Sequence, residues 1–368
     1  MFSLGSTTQV GDFRVDTKYL VTDVNGDGNS DLVELWNNTD KFFAATWISD
    51  GQGGFSLGGN TEVGDFRVDT KYLVTDVNGD GNSDLVELWN NTDKFFAATW
   101  ISDGQGGLTL GGNTEVGDFR VDTDYLVTDV NGDGNSDLVE LWNNTDKFFA
   151  ATWISDGQGG LTLGGNTQVG DFRVDTDYLV TDVNGDGNSD LVELWNNTDK
   201  FFAATWISDG QGGLTLGSNT QVGDFRVDTD YLVTDVNGDG NSDLVELWNN
   251  NNNFFAATWI SDGQGGFSLG SNTQVGDFRV DTDYLVTDVN GDGNSDLVEL
   301  WNNNNNFFAA TWISDGQGGF SLGSNTQVGD FRVDTDYLVT DVNGDSKSDL
   351  VELWNNTDNF FATTWLSI

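Results

Sequence analysis

The chain has 368 residues, a formal charge of −46 from 60 acidic and 14 basic side chains, and no His, Pro or Cys. Without Cys there is no disulfide or thiolate site; without His there is no imidazole base, no Ser-His-Asp triad and no ordinary zinc site. So acidic a surface repels nucleic acid and anionic membrane, so neither is expected as a partner, and no apolar run of about 18 residues offers a membrane-spanning helix, so no membrane insertion is expected. The first residues, Met1 to Gly5, show neither the basic region nor the apolar stretch of a secretory signal. Aromatics make up 12% of the chain and recur at fixed spacing, which argues against disorder.

The recurrence is a tandem repeat. Gly-Asp-Phe begins at Gly11, Gly64, Gly117, Gly170, Gly223, Gly276 and Gly329, seven copies at a period of 53 residues, with two Trp and one Tyr per copy. In chain order, one copy predicts four short strands: Tyr19 to Val24, Leu32 to Trp36, Phe42 to Ser49, and a fourth beginning at Phe55 to Leu57. They are rich in Val, Leu, Phe, Trp and Thr, and Gly/Asn/Asp clusters divide them. No segment has helical periodicity. Phe42-Phe43-Ala44-Ala45 is apolar on both faces, so its strand needs cover on both sides. A four-stranded blade held between two neighbours supplies that cover. The seventh copy stops after its third strand, and Phe2-Ser3-Leu4-Gly5 matches Phe55-Ser56-Leu57-Gly58. The expectation is an all-β, seven-bladed propeller of four-stranded blades, one domain over 1–368, closed by the first strand pairing with the last.

Each copy carries an Asp-Val-Asn-Gly-Asp loop between its first two strands. Asp23, Asn25, Asp27, Asn29 (through its carbonyl) and Asp31 place oxygen donors at alternate positions, with Gly28 after the third. That pattern suits a hard cation, and calcium takes six to eight oxygens. The corresponding ligands are Asp76, Asn78, Asp80 and Asp84; Asp129, Asn131, Asp133 and Asp137; Asp182, Asn184, Asp186 and Asp190; Asp235, Asn237, Asp239 and Asp243; and Asp288, Asn290, Asp292 and Asp296. The seventh set, Asp341, Asn343, Asp345 and Asp349, departs from the pattern, with Ser346 in place of the glycine and Lys347 beside it. Glu34 falls at the twelfth position of an EF-hand pattern, but the flanks are strands, so it is expected to point elsewhere. The competing reading is a metal-free Asn/Gly/Asp hairpin turn.

The run Tyr19 to Leu35, followed by Asp50-Gly51-Gln52-Gly53-Gly54-Phe55, resembles the FG-GAP/VCBS type of propeller repeat over essentially the whole chain. The resemblance implies a propeller with Ca2+ loops on one face, and Asp23, Asn25, Asp27 and Asp31 carry over as ligands. In size, blade number and aromatic content the chain is also similar to bacterial seven-bladed propeller lectins that bind fucose and related sugars. No individual sugar contact carries over from that second likeness.

Near-copies of one site do not suit catalysis, which needs groups in distinct roles; no enzyme activity is expected. Repeated weak binding gains from avidity. The aromatic and planar polar groups that meet sugars are candidates: Trp36, Trp89, Trp142, Trp195, Trp248, Trp301 and Trp354, with Tyr19, Arg14 and Asn38. Each has a plainer reading. Trp47, in mid-strand, reads as packing between blades. Trp36, at a strand end, has the better claim to exposure. Arg14 and Glu34 read as a structural ion pair, Tyr19 as core with its hydroxyl at the rim, and the Asn runs 249–253 and 302–306 as surface turns. The expected function is a multivalent lectin for glycans, including fucose-type sugars, with structural calcium. The alternatives are an FG-GAP-like adhesion or protein-interaction scaffold and a recently amplified propeller with no selected ligand. Loops of this kind bind calcium at extracellular concentrations, which points to action outside the cell. Association into a homo-oligomer is left open.

Overall fold

The computed structural model describes residues 1–368 except 13, 15, 66, 68, 69, 119, 121, 122, 172, 174, 175, 225–228, 251, 278–281, 304 and 331–334. The strands of the first blade are β2 (Lys18–Thr22), β3 (Asp31–Asn38), β4 (Lys41–Ser49) and β5 (Phe55–Asp65). They pair antiparallel in sequence order, and the pattern recurs to give seven four-stranded sheets. Leu32, Val33 and Leu35, adjacent in sequence and pointing to both faces of β3, are all buried, as a sheet covered on both sides demands.

One boundary differs from the sequence reading, and one end it left open is now defined. Val24 lies beyond the end of β2, in the acidic loop, where its N–H is donated to the Asp31 side chain. The fourth strand runs eleven residues, to Asp65. Gly58, Gly59 and Asn60 have low strand propensity, yet Gly59 and Asn60 pair with β4 because register shifts between Phe42/Phe43 and Thr46/Trp47 absorb the irregularity, the second leaving Gly58 as the extra residue. Val63 then reaches the core, fully buried.

The ring closes as expected. β1 (Phe2–Asp12) pairs with β28 (Asn359–Ser367), from Phe2 opposite Ser367 to Asp12 opposite Asn359, and completes the sheet with β27 (Asp349–Asn356) and β26 (Asp336–Thr340). The core sits in the seams between blades. Val24, Val33, Leu35, Ala44 and Val63 of one blade pack with Tyr72, Leu85 and Leu108 of the next round. The closing seam has the same composition, with Val10, Val342, Val351, Leu353 and Ala362 against Leu32 and Phe55. A belt of backbone hydrogen bonds joins the acidic loops: Ser83 N–H donates to the Asp23 carbonyl at 2.7 Å, and Ser30 N–H to the Asp341 carbonyl, also at 2.7 Å, across the closure. Inner strands line an axial cavity of about 620 Å3, with Tyr178, Tyr231 and Tyr284 among its walls. Among the described residues no helix is long and apolar enough to cross a membrane.

Candidate functional site

The acidic loops are organised around their own backbone. Asp23 Oδ1 accepts N–H groups from Asn25, Gly26 and Asp27, and Oδ2 accepts that of Gly28 at 2.8 Å. Asp27 Oδ1 accepts both the backbone and the side-chain N–H of Asn29, and its Oδ2 accepts from Asn25 Nδ2. Asp31 is the first residue of β3, so the strand turns its side chain inward. It has no exposed surface, and its two oxygens accept N–H bonds from Val24 at 3.0 Å and Ser49 at 2.7 Å. Burial pushes its carboxyl up to about 7 against those two hydrogen bonds, and the charges of Asp23 and Asp27 push the same way. Asp84, Asp137, Asp190, Asp243, Asp296 and Asp349 repeat this, each also near 7. The donor types suit calcium. The arrangement does not gather the expected four: Asp31 is an internal strut, and no group of three or more His, Cys, Asp or Glu among the described residues converges on a cation position.

The sugar candidates divide. Arg14 and Glu34 form the expected ion pair, at 2.9 Å, and Arg67, Arg120 and Arg173 repeat it on Glu87, Glu140 and Glu193. Arg226, Arg279 and Arg332 of the remaining copies lie outside the described residues, as do Asn251 and Asn304 of the two Asn runs. Glu34 points away from the acidic loop, as read. It is buried, and its other oxygen accepts the Trp47 Nε1 hydrogen at 3.1 Å. Burial pushes the glutamates up, to about 7 at Glu87, Glu140 and Glu193, although the Arg and Trp donors oppose it.

Trp47 packs against the seam between blades, as read, but Trp36 is not the open indole that its place at a strand end suggested. Trp36 is only 7% exposed. One face stacks on Phe43, with ring centroids 5.6 Å apart, and the Arg14 guanidinium covers the other at 4.6 Å. Trp89, Trp142 and Trp195 are held the same way, and Trp248 and Trp301 are equally buried. Trp47, which pairs with Leu32 on one side and Leu57 on the other, is half-buried and keeps an accessible edge. Tyr19 lies against Phe360 and donates its hydroxyl to the Val10 carbonyl, inside the closing seam. Asn38 sits at the exposed β3–β4 turn, accepting the Thr39 hydroxyl.

One surface cleft takes only the Trp36-type indole of the sugar candidates, together with the Trp47-type indole. In the sixth blade it encloses about 270 Å3 and opens beside β21 (Phe267–Asp277) of the preceding blade. Ala310 of β24 (Asn306–Ser314) is its floor. Trp301 of β23 (Asp296–Asn303) and Trp312 of β24 flank it, and Leu322 of β25 (Phe320–Asp330) forms a rim. Glu299, Asn325 and Gln274 supply polar edges. The floor alanine and the rim leucine escaped the sequence reading. The leucine is 55–61% exposed in every copy, and its only sequence signal is a lone apolar residue before a glycine in a polar outer strand.

This is a seven-bladed β-propeller with a surface cleft where its sixth blade meets the fifth, formed by residues that recur in the repeat. No family model matches the chain, so the FG-GAP/VCBS and lectin resemblances rest on the residues quoted above alone. Over 211 residues, 47% of its length, the chain is 28% identical to a T-cell immunomodulatory protein homolog of Plasmodium yoelii yoelii, and it spans 29% of that relative. Among solved structures, the Nup133 β-propeller domain of Vanderwaltozyma polyspora superposes with a TM-score of 0.53 at 10% identity, covering 96% of this chain and 99% of that one. The Dos1 propeller does so with 0.51 at 11%, covering 94% and 78%. Identities this low speak for the fold alone.

Proposed function

We propose that the chain is a multivalent glycan-binding protein whose seam clefts each take one pyranose ring, and that it binds rather than catalyses. The cleft of the sixth blade carries this reading. A half-buried indole and a leucine present apolar surface to the C–H face of a sugar, while Asn325, Gln274 and Glu299 stand where hydroxyls need planar partners. Repetition on one rigid body raises weak single-site binding by roughly 10² to 10⁴. A glycan array, including fucose-type sugars, run with and without calcium tests it, paired with tryptophan emission during titration. Binding that shifts the emission supports the proposal. Silence on every glycan ends it.

A second reading, a protein-docking scaffold, is favoured by the similarity to the immunomodulatory protein homolog. It predicts a protein partner that free monosaccharide does not displace. We also propose weak Ca2+ uptake by the outer part of each acidic loop, Asp23, Asn25 and Asp27, which stay accessible while Asp31 does not. At ten times its dissociation constant, one such ion stabilises the fold by about 1.4 kcal/mol. A melting midpoint unmoved between millimolar calcium and EDTA would leave the loops as metal-free turns.

A further inference from the structure

We infer that the seventh cleft is chemically distinct from the other six and does not take the same ligand; this rests on the glycan-binding reading of the clefts. In blades one to six the floor is an alanine paired with an asparagine, Ala45 opposite Asn60 in the first blade and Ala310 opposite Asn325 in the sixth. In blade seven the pair is Thr363 opposite Thr7. The two hydroxyls hydrogen-bond each other at 3.0 Å, and Thr363 Oγ1 accepts the Trp354 Nε1 hydrogen at 2.9 Å.

The flanking indoles respond. Trp354 stacks on Phe361 with centroids 4.5 Å apart, against 5.5–5.6 Å for the equivalent pairs. In the other blades the second indole donates to the glutamate, as Trp47 does to Glu34 and Trp312 to Glu299. In blade seven that donor, Trp365 Nε1, is buried without a partner among the described residues. Thr363 therefore adds a hydroxyl and a methyl group to the floor where the sixth blade has open space above Ala310 and the other five blades carry the same alanine. One added group of this size in a fitted pocket changes affinity by about tenfold or more.

The test uses the full chain labelled at its indole nitrogens. Without ligand, the Trp365 indole N–H signal should stand apart from those of the six residues that donate to a glutamate. The double variant Thr363→Ala, Thr7→Asn should move it among them, while Thr363→Ser should not. Seven coincident signals in the wild type would overturn the inference, whatever the chain binds. Methyl α-L-fucopyranoside is then added to 100 mM. The expected result is a common shift of six indoles, with Trp365 unmoved or shifting with an affinity at least about tenfold weaker. A Trp365 shift with the same midpoint as the rest overturns it. If no indole shifts, the glycan reading loses support for this sugar, and the ligand-free spectra still decide whether the seventh cleft differs.

Discussion

Lowering the pH from 8 to 5 should stabilise this protein. The Asp31-type carboxyls lie near 7 in the folded chain, against an ordinary 3.8. Their folded value is raised, so the native state binds more protons than the unfolded state between about pH 4 and pH 7. Stability must then rise as pH falls through that window. From pH 8 to 5, one such group contributes about 2–3 kcal/mol. Seven of them, discounted to about a third for relaxation and mutual coupling, give on the order of 6 kcal/mol. With an unfolding entropy of about 2.1 cal/mol/K per residue, that is a rise of roughly 8 °C in melting temperature. Differential scanning calorimetry in EDTA is the assay, with about 0.5 M salt to shorten the Debye length to roughly 4 Å and quench general repulsion between surface charges. A midpoint that is flat, or higher at pH 8 under those conditions, refutes the buried-strut account of Asp31.

Other expectations concern the backbone and the seams. Thr39, Thr92, Thr145 and Thr198 hold φ between 60° and 63°, a left-handed conformation that Asn tolerates better than a β-branched residue. Changing one of these threonines to Asn should add about 0.5–1 kcal/mol in urea unfolding, and no gain would mean the turn is unstrained. Ser346 occupies the place of Gly28 at φ 66°, so Ser346→Gly should also stabilise, by about 0.5–1 kcal/mol. Gly106→Ala should cost more, about 2–3 kcal/mol, because its Cβ would meet Thr46 Oγ1 at 2.6 Å as well as a φ of +93°. Val10→Ala and Val63→Ala, both at fully buried positions, should each cost about 2 kcal/mol. A much smaller cost at Val10 would show the closing seam to be slack.

Blade number, strand order, ring closure and the Arg14–Glu34 pair were legible because each is written in the repeat itself. A fixed period fixes the count, and a strand apolar on both faces fixes its neighbours. What the sequence hid depends on partners from another blade or on exact strand phase. Trp36 looked open because it ends a strand, yet Phe43 and a guanidinium from the linker before its blade close both its faces. Asp31 looked like a ligand because of its spacing from Asp23 and Asp27. Its position as the first residue of β3 turns it inward, and spacing along a loop carries no information about that rotation. The end of the outer strand was not legible because Gly58, Gly59 and Asn60 have low strand propensity, and only pairing with β4 through two bulges carries the strand on to Asp65.

The hydrogen bonds from Ser83 to Asp23 and from Ser30 to Asp341 are alike in length and sense, so each blade grips its predecessor and is gripped by its successor through the same contact. Nothing in that contact counts. This belt therefore holds any two neighbouring blades alike and does not itself distinguish one pair from another. A shortened chain would keep two complementary flanks exposed, and its cheapest way to satisfy them is to borrow the missing sectors from another molecule.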